Sequence, residues 1–246
     1  MAPAVPRPST TVLLVRDGAQ GLEVLMVVRN AESYFSSAMV FPGGVIDPED
    51  ADEAWLPLLT GAEGLDPLER ARRVAGFREL WEETGILLLE APQRAPEGDA
   101  GAPFLELVAR SGGQLDLAAM APFAHWITPE SAPKRYDTYF RLCWLTTEMT
   151  AVSDGRETVS VEWLTPQAAL ALGASKDRNL LFPTKCQLEL LAVSATVEDA
   201  VAAARARSIV PVTPLMDRRA EGLFLTIPPE SGYPVREFLA GPPQPA

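Results

Sequence analysis

Residues 78–86 read Arg-Glu-Leu-Trp-Glu-Glu-Thr-Gly-Ile, and within them Glu79, Glu82 and Glu83 stand at i, i+3 and i+4. On an α-helix that spacing lays three carboxylates on one face, a turn apart. Uncompensated, such like charges weaken a helix by roughly 0.2–0.5 kcal/mol per pair. A divalent cation among them removes the repulsion, and an all-oxygen donor set suits Mg²⁺ or Mn²⁺ rather than zinc. A solvated helix face could carry the same acids. Their flanks favour the metal. Phe41-Pro42-Gly43-Gly44-Val45 upstream is a tight turn where backbone can approach a ligand closely, and Gly85 sits where a helix ends in a left-handed cap. The apolar run Ile86–Leu89 then reads as a buried strand.

These residues resemble the Nudix box, in which a glycine, five residues, a glutamate and seven residues precede Arg-Glu-apolar-x-Glu-Glu-x-Gly-apolar. Arg78 to Ile86 supplies the second half in full, and Gly44 opens the first, with Asp50 where the family usually has Glu. Arg78 lies 34 positions after Gly44, which leaves an insertion spanning roughly residues 51–70. A split box of this kind, with Trp55 soon after it, is similar to the branch containing the peroxisomal coenzyme A diphosphatase of animals. Trp126-Ile127-Thr128-Pro129, Lys134-Arg135-Tyr136-Asp137-Thr138-Tyr139-Phe140 and Phe182-Pro183-Thr184 resemble segments of the same branch.

The resemblance implies an α/β fold, the Nudix α/β/α sandwich around a mixed sheet, and metal-dependent hydrolysis of a diphosphate. It makes Glu79 and Glu83 first-choice metal ligands, with Glu82 a third and the Gly43 carbonyl completing the shell. Arg78 is expected to hold Glu79 rather than touch substrate. A later-loop carboxylate often joins this site; Glu157 is the choice and Glu130 the competitor. The expected catalytic set is therefore Arg78, Glu79, Glu82 and Glu157. Arg29, Lys134 and Arg135 are candidates for substrate phosphates, the last two for the 3′-phosphate of coenzyme A; a solvated basic pair is the alternative. Phe35, Trp126 and Tyr136 could stack on a base or serve the core. The insertion is expected to be a lid, a pantetheine groove or surface decoration. His125, alone of its kind, reads as structural.

The expected substrate is coenzyme A or an acyl derivative, giving 3′,5′-ADP and a phosphopantetheine. ADP-ribose, a dinucleotide or a nucleoside triphosphate is the enzymatic alternative, and a non-catalytic nucleotide-sensing module is the other. Sensing does not require the complete Arg78-Glu79-x-x-Glu82-Glu83 set.

The chain must position these groups with 246 residues, enough for one large domain or a domain plus an extension. A net charge of −12 disfavours long nucleic acid as a partner, although local arginines and a metal can still draw one anionic small molecule. Cys143 and Cys186 lie in apolar segments and read as buried free thiols. No run of apolar residues is long enough for a membrane span. Residues 1–9 read as a flexible arm without a secretory signal, and the last residues are not Ser-Lys-Leu, so the simplest expectation is a cytoplasmic protein, with a homodimer possible.

Periodicity predicts strands at Thr10–Val15, Leu22–Arg29, Arg135–Leu145 and Val159–Trp163. The box helix should run from Pro67 to Thr84 with Asp66 as its N-cap. Further helices are expected at Phe104–Ser111, after Thr165, at Pro183–Ala195 and at Val197–Arg207 behind Thr196. Ile209–Leu215 and Leu223–Ile227 read as a strand pair. The expected organisation is a domain over residues 10–165, its box at 44–86, with an α+β extension over 166–246 packed on it.

Overall fold

The structure, a computed structural model, describes residues 4–30, 37–90, 102–153, 155–156 and 158–241. Strands β1 (Arg7–Gly18) and β2 (Gly21–Arg29) form a hairpin, and β3 (Ala38–Val40) and β4 (Gly43–Val45) bracket the Phe41-Pro42 corner. β5 (Leu59–Thr60) precedes the box helix α1 (Pro67–Thr84). Then come α2 (Phe104–Ser111), β6 (Leu115–Asp116), β7 (Ala121–Ile127), β8 (Tyr136–Trp144) and β9 (Thr158–Leu164). The rest is α3 (Pro166–Ser175), β10 (Asn179–Leu180), α4 (Phe182–Leu191), α5 (Val197–Ala206), β11 (Leu215–Arg219), β12 (Gly222–Thr226) and β13 (Glu237–Gly241).

The main sheet runs β10-β3-β2-β1-β8-β7, with β4 also on β1 and β9 also on β2. It is mixed: β1 pairs β8 in parallel and β2 antiparallel. Alternation along β1 explains the layers. Val12 and Leu14 join Val74, Phe77 and Leu80 of α1 in one core, while Leu13 and Val15 join Phe182, Leu188 and Ala200 of α4 and α5 in the other. Helices on both faces are why the strand reads as an unbroken apolar run. This is the expected α/β/α sandwich.

Local chemistry sets the box helix. The Asp66 carboxylate accepts from the Glu69 amide at 2.9 Å, Pro67 occupies the first turn, and Gly85 closes the helix at φ 67°. Thr165 and Thr196 cap α3 and α5 through the amides of Ala168 and Asp199.

Three expectations are corrected. Ile86–Leu89 is not a strand: Ile86, Leu87 and Leu89 are buried, but only Glu90, just beyond, makes an isolated bridge, to Gln114. Burial alone produces the same apolar run. Residues 209–214 are not a strand either, because Pro211 and Pro214 interrupt the ladder; pairing begins at Leu215. Finally, Arg7–Ser9 belong to β1 rather than to an arm, paired with Tyr136–Thr138. A 3₁₀ turn at Pro48–Ala51 leads into the insertion, which forms a second at Glu53–Leu58, then β5 and the first residues of α1. Trp55 anchors it, donating its indole N–H to the Glu49 carbonyl and lying 5.5 Å from the Phe104 ring.

Cys143 and Cys186 are buried free thiols, as expected, and burial pushes both up to about 12. Both therefore stay protonated at pH 8. A thiol-reactive dye at that pH is expected to leave the native protein unlabelled and to label both cysteines in guanidinium; prompt native labelling would contradict this burial.

Candidate active site

α1 packs against β1 and β4, which brings it to the Gly43-Gly44 corner. Arg78 organises the contact. Its Nε and Nη2 each donate at 2.9 Å to the two oxygens of Asp50, and Nη1 donates at 3.0 Å to both Glu79 and Glu82. A third direction reaches the Val45 carbonyl at 3.0 Å. Asp50 is 1% exposed and also accepts the Asp47 amide at 2.8 Å. The Asp that stands where the family usually has Glu is therefore a buried fork partner for arginine. Burial alone would lower the basicity of Arg78, but the Asp50 hydrogen bond and the charges of Glu79, Asp50 and Glu82 outweigh it and raise it. Burial raises the Glu82 carboxyl, partly opposed by Arg78.

Glu83 takes a different direction. It is 2% exposed, accepts the Gly43 amide at 3.1 Å and faces Arg29 at 3.3 Å. Arg29 also donates at 3.0 Å to the Gly43 carbonyl. The structure thus divides the expected trio: Glu79 and Glu82 line a cavity of about 520 Å³, and Glu83 braces the glycine corner behind it. Among the described residues, no three His, Cys, Asp or Glu side chains converge as a metal-holding group. The donors that do reach the cavity nevertheless fit a hard cation. Mg²⁺ is commonly held by one or two carboxylates with the remaining positions filled by water and substrate phosphate. Glu79 and Glu82, with the nearby Gly43 carbonyl, are of that type.

The two glycines are required for different reasons. A Cβ on Gly43, at φ 154°, would come within 2.4 Å of the Thr10 carbonyl oxygen, whereas one on Gly44 would meet the Glu79 carboxylate at 2.3 Å. Gly43→Ala is expected to cost about 1–3 kcal/mol of stability by overpacking against backbone. Gly44→Ala should leave the melting temperature nearly unchanged while displacing Glu79 and lowering activity. Equal stability losses in the two variants would contradict this division.

The remaining candidates separate clearly. Arg29 and Tyr136 line the cavity. Lys134 and Arg135 do not: Arg135 donates to the carbonyls of Thr128 and Ala4, so its fork ties the β7–β8 connection to the residues before β1. Trp126 is core, its indole N–H donating to Tyr233. Glu130 is exposed in the β7–β8 turn, away from the cavity. Glu157 and Phe35 lie outside the described residues. His125 bonds Asp137 and stacks on Tyr139 at 4.0 Å, a structural role. No residue of the 51–70 insertion lines the cavity. Sequence reasoning missed Arg7, Leu181, Pro183 and Thr184, which all do. The Phe182-Pro183-Thr184 resemblance was the available signal for the last two.

A mixed sheet between helix layers, with a Gly-Gly corner facing an Arg-Glu-x-x-Glu-Glu helix, defines a Nudix hydrolase fold. A crystal structure of a Nudix hydrolase from Alicyclobacillus acidocaldarius superposes with a TM-score of 0.70 at 26% identity, covering 81% of this chain and 96% of that one. The NUDT19 Nudix domain family matches residues 62–189, and the chain belongs to it. The chain is 30% identical over 208 residues to the acyl-coenzyme A diphosphatase NUDT19 of Gallus gallus, with 60% of this chain covered, and 26% identical over 238 residues to that of Homo sapiens, with 74% covered. It spans 55% and 63% of the length of those two relatives.

Proposed function

We propose that the protein hydrolyses the diphosphate of coenzyme A or an acyl-coenzyme A, with Mg²⁺ or Mn²⁺, to 3′,5′-ADP and a phosphopantetheine. The observation that carries this reading is one cavity lined both by Glu79 and Glu82 and by Arg7 and Arg29. The carboxylates suit a divalent cation, and the guanidiniums suit anionic oxygens on either side of it. The family relation adds the substrate class, since the relatives are acyl-coenzyme A diphosphatases by name.

When bound, the cation neutralises the phosphate oxygens and lowers the pKa of water. The chain's own groups do the rest. Arg78 fixes Glu79 and Glu82 from behind, and Asp50 fixes Arg78. Glu83 and Arg29 hold the Gly43 corner open to the cavity. Arg29 can turn its remaining donors to a phosphate. Tyr136, Thr138 and Thr128 at the Arg7 end offer a ring and hydroxyls to a nucleoside.

The test is a substrate panel. Purified protein with Mg²⁺ or Mn²⁺ is incubated with coenzyme A, 3′-dephospho-coenzyme A, acyl-coenzyme A species, ADP-ribose, NADH and nucleoside triphosphates, and products are identified by mass. Highest kcat/KM on coenzyme A species is expected. Preference for ADP-ribose or a triphosphate would overturn the substrate assignment.

A further inference from the structure

We propose that the start of α4, in the C-terminal segment, is the wall that takes the acyl-pantetheine arm and sets chain-length preference. The inference rests on the coenzyme A reading and deepens it.

The sheet order gives the cavity two ends. β3 and β10 lie on one side of β1, and β8 and β7 on the other. β4 pairs β1 at Ser9–Thr11 and brings the glycine corner, and with it Glu79 and Glu82, to the middle. A diphosphate held there extends one arm each way. Toward β8 and β7 it meets Arg7, Tyr136 and Thr128, a cationic, aromatic and hydroxyl-bearing end. The β3 and β10 side carries four hydrocarbon side chains, Val40, Phe41, Leu181 and Pro183, together with Arg29 of β2 and Thr184 of α4. A phosphorylated nucleoside suits the first end, and an apolar chain suits the second.

The apolar wall is built by long-range pairing. Parallel register sets Asn179 beside Ala38 and Leu180 beside Met39, which carries Leu181 to the side of Val40. Phe182 fixes the next residue in the core, edge-on to Trp126 at 5.7 Å and stacked on Phe238 at 5.3 Å. With Phe182 anchored, half-buried Leu181 and Pro183 flank it and line the cavity. A preformed wall of this kind discriminates by fit.

The test is a chain-length series. Acetyl-, hexanoyl- and decanoyl-coenzyme A are compared with wild type, Leu181→Trp and Leu181→Ala, and inhibition by 3′,5′-ADP is measured alongside. Leu181→Trp is expected to lower kcat/KM for decanoyl-coenzyme A about tenfold, through KM, while inhibition by 3′,5′-ADP stays within about twofold. Leu181→Ala should shift the preference toward longer chains, which keeps the test open should the tryptophan variant not fold. If wild type cleaves coenzyme A species, a chain-length profile unchanged in both Leu181 variants, or equal losses for every chain length and for 3′,5′-ADP, would overturn the inference alone. A wild type that cleaves other diphosphates but no coenzyme A species overturns the substrate reading and this inference with it.

Discussion

Arg78→Met is expected to lower unfolding stability by about 3–5 kcal/mol, measured by urea denaturation, because it leaves a buried charge without its partner. Asp50 is 1% exposed and Arg78 9%. Removing the guanidinium strands Asp50 and lets Glu79 and Glu82, each bonded to the same Nη1, repel one another. Arg78→Lys should recover only part of the loss, since an ammonium cannot make the two-pronged contact to Asp50. Combining Arg78→Met with Asp50→Leu removes both charges and should restore much of the stability. It should not restore activity, because Glu79 still lacks its brace. Stability and catalysis separating in the double variant is the distinctive result; wild-type stability in Arg78→Met alone would contradict the network.

Glu79→Gln is expected to reduce kcat for coenzyme A cleavage by about 10²–10⁴-fold with little change in melting temperature. Glutamine keeps the size and can still pack beside Gly44, but it loses the charge that a cation needs. Glu83→Gln should differ in kind. Its carboxylate takes the Gly43 amide and faces Arg29, so its loss should disturb the corner as well as the chemistry, with a measurable drop in stability. Identical profiles for the two variants would count against the division between Glu79 at the cavity and Glu83 behind it.

Much of this was legible in the chain because it is written in local spacing. The i, i+3, i+4 acids, the Asp66-Pro67 start and the Gly85 stop need no tertiary information, and the box helix has those bounds. The apolar run of β1 likewise marks a strand buried on both faces. What failed was long-range. Ile86–Leu89 looks like a strand because apolar runs report burial, not pairing. Lys134 and Arg135 looked like phosphate binders because a basic pair in a loop does not reveal that Arg135 is spent on the carbonyls of Thr128 and Ala4. Arg7 was hidden in a proline-rich start that only its pairing with Tyr136 turns into strand. The trio itself shows the limit of helical geometry: one shared face does not decide which acid turns to Arg78 and which to Arg29.

The most direct test is Mn²⁺ binding followed by electron paramagnetic resonance, with and without a methylene-bridged ADP analogue, in wild type and Glu79→Gln. The account predicts that wild type immobilises Mn²⁺, that the analogue tightens binding, and that both effects are lost in Glu79→Gln while the fold persists. Undiminished Mn²⁺ binding in Glu79→Gln, or an analogue with no effect on wild type, would contradict it.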